Sequence, residues 1–162
     1  MRSALSMLVM LFALSAPAFA AEPQGGSGNV DVEKALTDMR TDLQASRADI
    51  MAKNISLTAE QAAKFWPLFE QYQTEQNKII DAQLEGIRKY AETYENLSDK
   101  DAQAFINAQL DRDDKMHALR IEWLGKFGKV LDAKTAARVI QIDRRLGQIS
   151  QVMLSSRLPL IR

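Results

Sequence analysis

A helix-start signal is written three times along this chain, and it limits the fold more than any other feature. The copies are Leu57-Thr58-Ala59-Glu60-Gln61-Ala62, Leu97-Ser98-Asp99-Lys100-Asp101-Ala102 and Leu131-Asp132-Ala133-Lys134-Thr135-Ala136. In each, an oxygen-bearing residue stands where it can accept a hydrogen bond from one of the orphan N–H groups of a first helical turn. Gln61, three residues after Thr58, completes a capping box in the first copy. The leucine before each cap and the alanine five positions after that leucine are spaced for a hydrophobic staple. Leu57, Thr58, Gln61, Leu97, Ser98, Leu131 and Asp132 are therefore read as structural residues that start three helices.

The apolar spacing between the caps fills in the rest. Val32, Leu36, Met39, Leu43, Ser46 and Ile50 alternate by four and three, which predicts a first amphipathic helix over about 30–53 with a coiled-coil style of seam. The second helix is expected from Thr58 to about Tyr94 along Phe65, Phe69, Tyr72, Ile79, Ile80, Leu84, Ile87, Tyr90 and Tyr94, with polar Gln76 in its seam. Pro67 lies inside it and predicts a kink, because it cannot donate to the carbonyl of Ala63. The third helix is expected over about 99–130, through Phe105, Gln109, Met116, Leu119, Trp123, Phe127 and Val130. The fourth, over about 133–153, runs through Ala136, Val139, Ile140, Leu146, Ile149 and Met153. No period-two run rich in β-branched residues competes with these helices. The expected fold is all-α: an elongated four-helix protein in which an antiparallel hairpin of two long helices is flanked by N- and C-terminal helices. A hairpin this long has a narrow core, which predicts a homodimer that covers its remaining apolar faces.

Residues 1–20 read as a secretory signal peptide. Arg2 precedes an apolar run, and Pro17 stands just before Ala18-Phe19-Ala20, an A-x-A cleavage signature. Residues 21–29, rich in Gly, form a flexible leader; 30–157 form one helical domain; and 158–162, with Pro159 among apolar residues, form a C-terminal tail. The expected location is the periplasm, with no stable membrane insertion. The chain has no cysteine, so neither disulfides nor a lipidated N-terminal cysteine contribute. Charge is unevenly divided. Residues 31–111 carry nine basic and fifteen acidic side chains, and residues 112–162 carry eleven basic and five acidic. The halves complement each other within or between protomers, or the basic half presents a cationic face to an acidic or unfolded partner. No nucleic-acid motif accompanies the basic half.

The inventory of reactive groups does not suggest an enzyme. His117 is the single histidine, no Gly-rich phosphate loop is present, and no serine stands in a nucleophile motif. His117 lacks the convergent ligands that a metal site needs, so neither metal nor cofactor is expected. Asp111-Arg112-Asp113-Asp114-Lys115 mixes both signs and reads as a solvated helix face. Met39, Met51, Met116 and Met153 are at or near seam positions and read as core. Phe65-Trp66-Pro67 is the densest aromatic point; packing is the favoured reading for Trp66, and an exposed client contact is the alternative.

Taken together, the A-x-A signal, the cysteine-free helical chain and Leu57-Thr58-Ala59-Glu60-Gln61 near the start of a long helix resemble the Spy/CpxP-like periplasmic family, named for its LTxxQ motif. Leu131-Asp132-Ala133-Lys134-Thr135 stands where family members repeat the motif, with Asp in place of Thr and Thr in place of Gln. The resemblance implies a small periplasmic four-helix protein, an antiparallel dimer, acting as an ATP-independent chaperone in envelope stress or as a regulator of stress signalling. The His-rich clusters of metal-binding relatives are missing. On the chaperone reading, unfolded or partly folded envelope proteins are held by Arg112, Lys115, Arg120, Lys126, Lys129, Arg138 and Arg144, with Trp66 and Trp123 as apolar contacts. On the alternative reading the partner is one membrane-bound stress sensor, bound with or without metal, and a purely structural spacer is a third possibility.

Overall fold

The computed structural model describes residue 34 and residues 46–161. The expected signal peptide, the leader and the first helix up to residue 45, including Met39, lie outside the described residues apart from Lys34, which is helical. The described chain is all-α. Helical residues 46–54 form α1, followed by α2 (Ala59–Thr93), a single 3₁₀ turn (Tyr94–Asn96), α3 (Asp99–Phe127) and α4 (Ala133–Ser155). None of the described helices is long and apolar enough to cross a membrane.

All three cap signals act as the sequence predicts. Thr58 Oγ1 accepts from the Gln61 N–H at 3.2 Å and Gln61 Oε1 accepts from the Thr58 N–H at 3.0 Å, a reciprocal capping box. Ser98 Oγ accepts from the Asp101 N–H, and the Asp132 carboxylate accepts from the Thr135 N–H and hydroxyl. Leu131 and Ala136 are buried, while Leu57 and Leu97 with their alanine partners are half-buried. The caps therefore fix where each helix begins and where its first apolar residue points. Helix α2 runs without interruption for 35 residues with Pro67 in its third turn, a length of about 50 Å.

α2 and α3 form the expected antiparallel hairpin. Their register is visible in the ring contacts at one end, where Phe65 lies 5.4 Å from Phe127 and Tyr72 lies 5.7 Å from Trp123. At the other end Tyr90 stacks on Phe105 at 4.0 Å between centroids. Trp66 is half-buried and meets Phe65 edge-on, so it packs as the composition favours. α4 returns antiparallel to α3 and lies along the hairpin. Its first turns bury Ala136 and Val139 in one cluster with Met51 and Ile55 of the α1 side. The tail after α4 docks at the far end, where the Tyr90 hydroxyl donates to the Pro159 carbonyl at 2.9 Å and that of Tyr94 to the Leu160 carbonyl at 3.1 Å.

One expectation for α4 is corrected. The buried residues are Ala136, Val139, Asp143, Gly147, Ser150 and Leu154. Leu146 is only half-buried, while Ile149 and Met153 are exposed. The helix is turned by about one residue position from the face its large apolar residues would choose. Met153 is therefore a surface residue, whereas Met51 and Met116 are core as expected.

Candidate functional site: the two faces of the fourth helix

The turn of α4 has a specific cause on its inner side. Asp143 is 2 % exposed, and its carboxylate accepts four hydrogen bonds from three other helices. Oδ1 accepts from Arg47 Nη1 of α1 at 3.2 Å and from Gln76 Nε2 of α2 at 2.9 Å. Oδ2 accepts from the Tyr72 hydroxyl of α2 at 2.8 Å and from Arg120 Nε of α3 at 2.9 Å. These bonds fill the four lone-pair positions of an ionised carboxylate, leaving none for a metal or a transferred proton. Gly147, one turn further on, leaves room for the arginine: a Cβ there would lie 2.9 Å from Arg120 Nη2.

Electrostatics agree with the geometry. Burial alone would raise the Asp143 pKa, but the two guanidiniums, with Gln76 and Tyr72 donating, hold the carboxyl below the usual range. The Tyr72 hydroxyl is pushed strongly up, by burial first and then by the adjacent carboxylate charge. Two cations surround one anion here, and Arg47 Nε and Gln76 Oε1 are buried with no hydrogen-bond partner among the described residues. A second polar level follows along the hairpin, where Gln83 and Gln151 exchange bonds at 2.9 and 3.2 Å and Gln83 also donates to Gln109 at 3.1 Å. The inner face of α4 is thus committed to joining helices.

The basic and aromatic residues singled out from the sequence are divided by this arrangement. Arg120 belongs to the buried hub and is not a client contact; Asp143 claims its Nε. Trp123 is 1 % exposed and is likewise removed from any contact surface, because its ring fills the α2–α3 core and its Nε1 donates to Glu75 at 2.8 Å. Lys126 lies over the Trp123 ring at 4.0 Å and pairs with Glu122. Lys115 pairs with Asp111. Arg112 is half-buried and pairs with Asp113 at 2.6 Å. Lys129, Arg138 and Arg144 are exposed. Most of the proposed contacts on α3 are therefore spent locally. His117 is a surface residue, and among the described residues no group of three metal-ligating side chains converges. Arg47, from the acidic half, pairs with Asp143 of the basic half, the reverse of what the opposite charges of the two halves suggest.

The outer face of α4 presents a combination that the sequence reading missed. Arg138, Ile142, Arg145, Ile149 and Val152 follow a four-three spacing, with Met153 four residues beyond Ile149, so the six share one side of the helix. Ile142 is half-buried, while Ile149, Val152 and Met153 are 58, 68 and 57 % exposed. No ion pair engages Arg138 or Arg145 among the described residues. Arg144, named from the sequence, lies about 100° away from Arg145 and off this row. A signal for the row was present: α4 holds more large apolar residues than one helix face can bury, and its buried row contains Asp143, Gly147 and Ser150. A second exposed apolar row, Ile106, Leu110, Ile121 and Leu124, runs along α3 with His117 between its halves. No protein-family model, curated protein or solved structure matches the chain.

Proposed function

We propose that this chain is a periplasmic, non-enzymatic binding protein that holds unfolded segments of other envelope proteins, without ATP, on the outer face of α4. The observation that carries this reading is the row of Arg138, Ile142, Arg145, Ile149, Val152 and Met153. Large apolar side chains are exposed there beside arginines that no carboxylate of the described chain occupies. Such a face draws an acidic or unfolded chain by long-range attraction and keeps it by shallow apolar contact. Each contact is weak, so release needs no energy source. The A-x-A leader supports export, and the LTxxQ-like caps support a stress-related role.

The same reading includes a homodimer. Ile106, Leu110, Asp113, His117, Ile121 and Leu124 form a row that is nearly palindromic about residue 115. In an antiparallel pair of α3 helices, Ile106 would face the partner's Leu124, Leu110 the partner's Ile121, and Asp113 the partner's His117. That is the self-complementarity an isologous interface requires. It would leave the outer face of α4 available in both protomers.

The test is light scattering from a reduced, aggregating model client, with the protein at equimolar ratio and above in low salt. Aggregation is expected to be suppressed. An Arg138→Glu, Arg145→Glu pair should abolish most of the suppression while thermal unfolding stays unchanged. Absence of suppression by the unaltered protein, or full suppression by the charge-reversed variant, contradicts the reading. Capture of one stoichiometric membrane partner in place of many weak ones would favour a regulator.

A further inference from the structure

One depression on the surface combines cations from two separate parts of the chain. Lys53, Asn54 and Ser56, at the end of α1 and the link to α2, face Lys134, Thr135 and Arg138 at the start of α4 across a cavity of about 310 Å³. Among the described residues no carboxylate lines it, although the Asp49 carboxylate is bonded to Lys53 beside it. We infer that this cavity is a binding site for a phosphate-type dianion, taken either as free phosphate or as the phosphate of a lipid headgroup.

Four lysines of this chain are neutralised on their own helices. Lys53, Lys64, Lys115 and Lys126 each have an acidic residue four positions earlier and pair with it, at 2.9, 2.7, 2.6 and 2.6 Å. Such pairs are favourable on a helix, and like charges at the same spacing are unfavourable by a similar amount. Lys134, like Lys78, Lys89, Lys100 and Lys129, makes no such pair among the described residues, but it alone of these lines the cavity. Four residues before Lys134 stands Val130 and four after it stands Arg138, so two cations share one helix edge. Neither is engaged in an ion pair among the described residues. Lys53, across the cavity, is already paired with Asp49 at 2.9 Å, so the lining carries two uncompensated positive charges. Two unpaired cations at a repulsive spacing and open to solvent form an arrangement that a doubly charged anion relieves.

The chemistry of the lining selects the class of anion. A monoanion would leave one of the two unpaired positive charges uncompensated, whereas a phosphate dianion balances both and can accept from Lys134, Arg138 and the Ser56 hydroxyl. Thr135 is less available, because its hydroxyl donates to Asp132 at 2.7 Å. That same Asp132 carboxylate occupies the end of α4, so the cationic side chains and not the helix terminus define the site. The volume accommodates a tetrahedral anion together with its first waters, each of which takes about 30 Å³.

The test is calorimetric titration of the full chain with inorganic phosphate, with chloride holding ionic strength constant. One-to-one binding with a dissociation constant below about 1 mM is expected. The Lys134→Gln, Arg138→Gln pair should weaken it by about tenfold or more. Both residues are exposed, so an unchanged melting temperature without phosphate will show that the variant is folded. Lys100→Gln, on the exposed first turn of α3, should bind as the unaltered protein does. Sedimentation with phosphatidylglycerol vesicles distinguishes the sources: co-sedimentation that phosphate competes away identifies the headgroup, and phosphate binding without co-sedimentation identifies the free ion. The inference is overturned if phosphate and matched chloride give the same heats, or if the double variant binds phosphate undiminished.

Discussion

Replacing Asp143 with Ala is expected to destabilise the fold by about 3–5 kcal/mol, the cost of leaving buried partners of an ion pair uncompensated. Arg47 and Arg120 have side chains 6 and 18 % exposed and would face each other without their shared anion. Tyr72 and Gln76 would lose their acceptor in the same step. Because the carboxylate joins α1, α2, α3 and α4, the loss falls on the whole arrangement and not on one helix. Asp143→Asn keeps the shape and some of the hydrogen bonds but not the charge, so it should fall between the two. Urea unfolding followed by circular dichroism measures all three.

The same carboxylate sets a pH dependence whose sign follows from its direction of shift. Its folded pKa lies below its unfolded value of about 3.9, so the unfolded state takes up protons first as pH falls. The stabilisation is complete above that range and is lost as acid reaches the folded pKa. Tyr72 acts at the opposite end. Its folded pKa is raised, so the contribution is complete below the unfolded value of about 10 and declines as pH rises above it. Between pH 5 and pH 3 the unaltered protein should lose stability more steeply than Asp143→Asn, which has no carboxylate to protonate at that position.

Trp123→Ala should be nearly as damaging, about 3–5 kcal/mol, the usual range for deleting a large buried aromatic. The ring meets Tyr72 and Phe127 at 5.7 and 5.5 Å and supports Lys126 above it. Its removal also frees the Glu75 carboxylate from its hydrogen bond. Trp66→Ala, on a half-buried ring at the margin of the same cluster, should cost clearly less. The pair separates packing from client contact. A core role for Trp123 predicts a large drop in urea midpoint; a surface contact predicts an unchanged midpoint with weakened client holding.

The parts of the fold legible in the sequence are those decided locally. Thr58, Ser98 and Asp132 each bond to an N–H three residues on, so their role is written within a few positions of themselves. The faces of α2 and α3 were legible because large rings recur there at helical spacing. The inner face of α4 was not, because it is chosen by partners far away in the chain. Asp143 meets residues 96, 71, 67 and 23 positions distant, and apolar periodicity carries no information about such a pairing. Following apolar residues alone through Leu146, Ile149 and Met153 placed the stripe on the wrong side. The same omission sent Arg120 to the surface, since nothing near it in sequence announces a buried acid. Arg138 was found because it is basic and exposed. Arg145 and the apolar residues beside it were missed because only the orientation of α4 gives them a common surface.

The inner face of α4 holds the helices together, and its outer face is the surface proposed for clients. The absence of native cysteine allows a single thiol to report on each surface. An environment-sensitive fluorophore attached at Val152→Cys, on the outer row, should shift to shorter wavelength when a reduced, unfolding client is added. The same label at Ala104→Cys, exposed on α3 and off its apolar row, should not respond. A blue shift at 152 alone is the result predicted. No shift at 152, or equal shifts at both positions, would contradict the assignment of client binding to the outer face of α4.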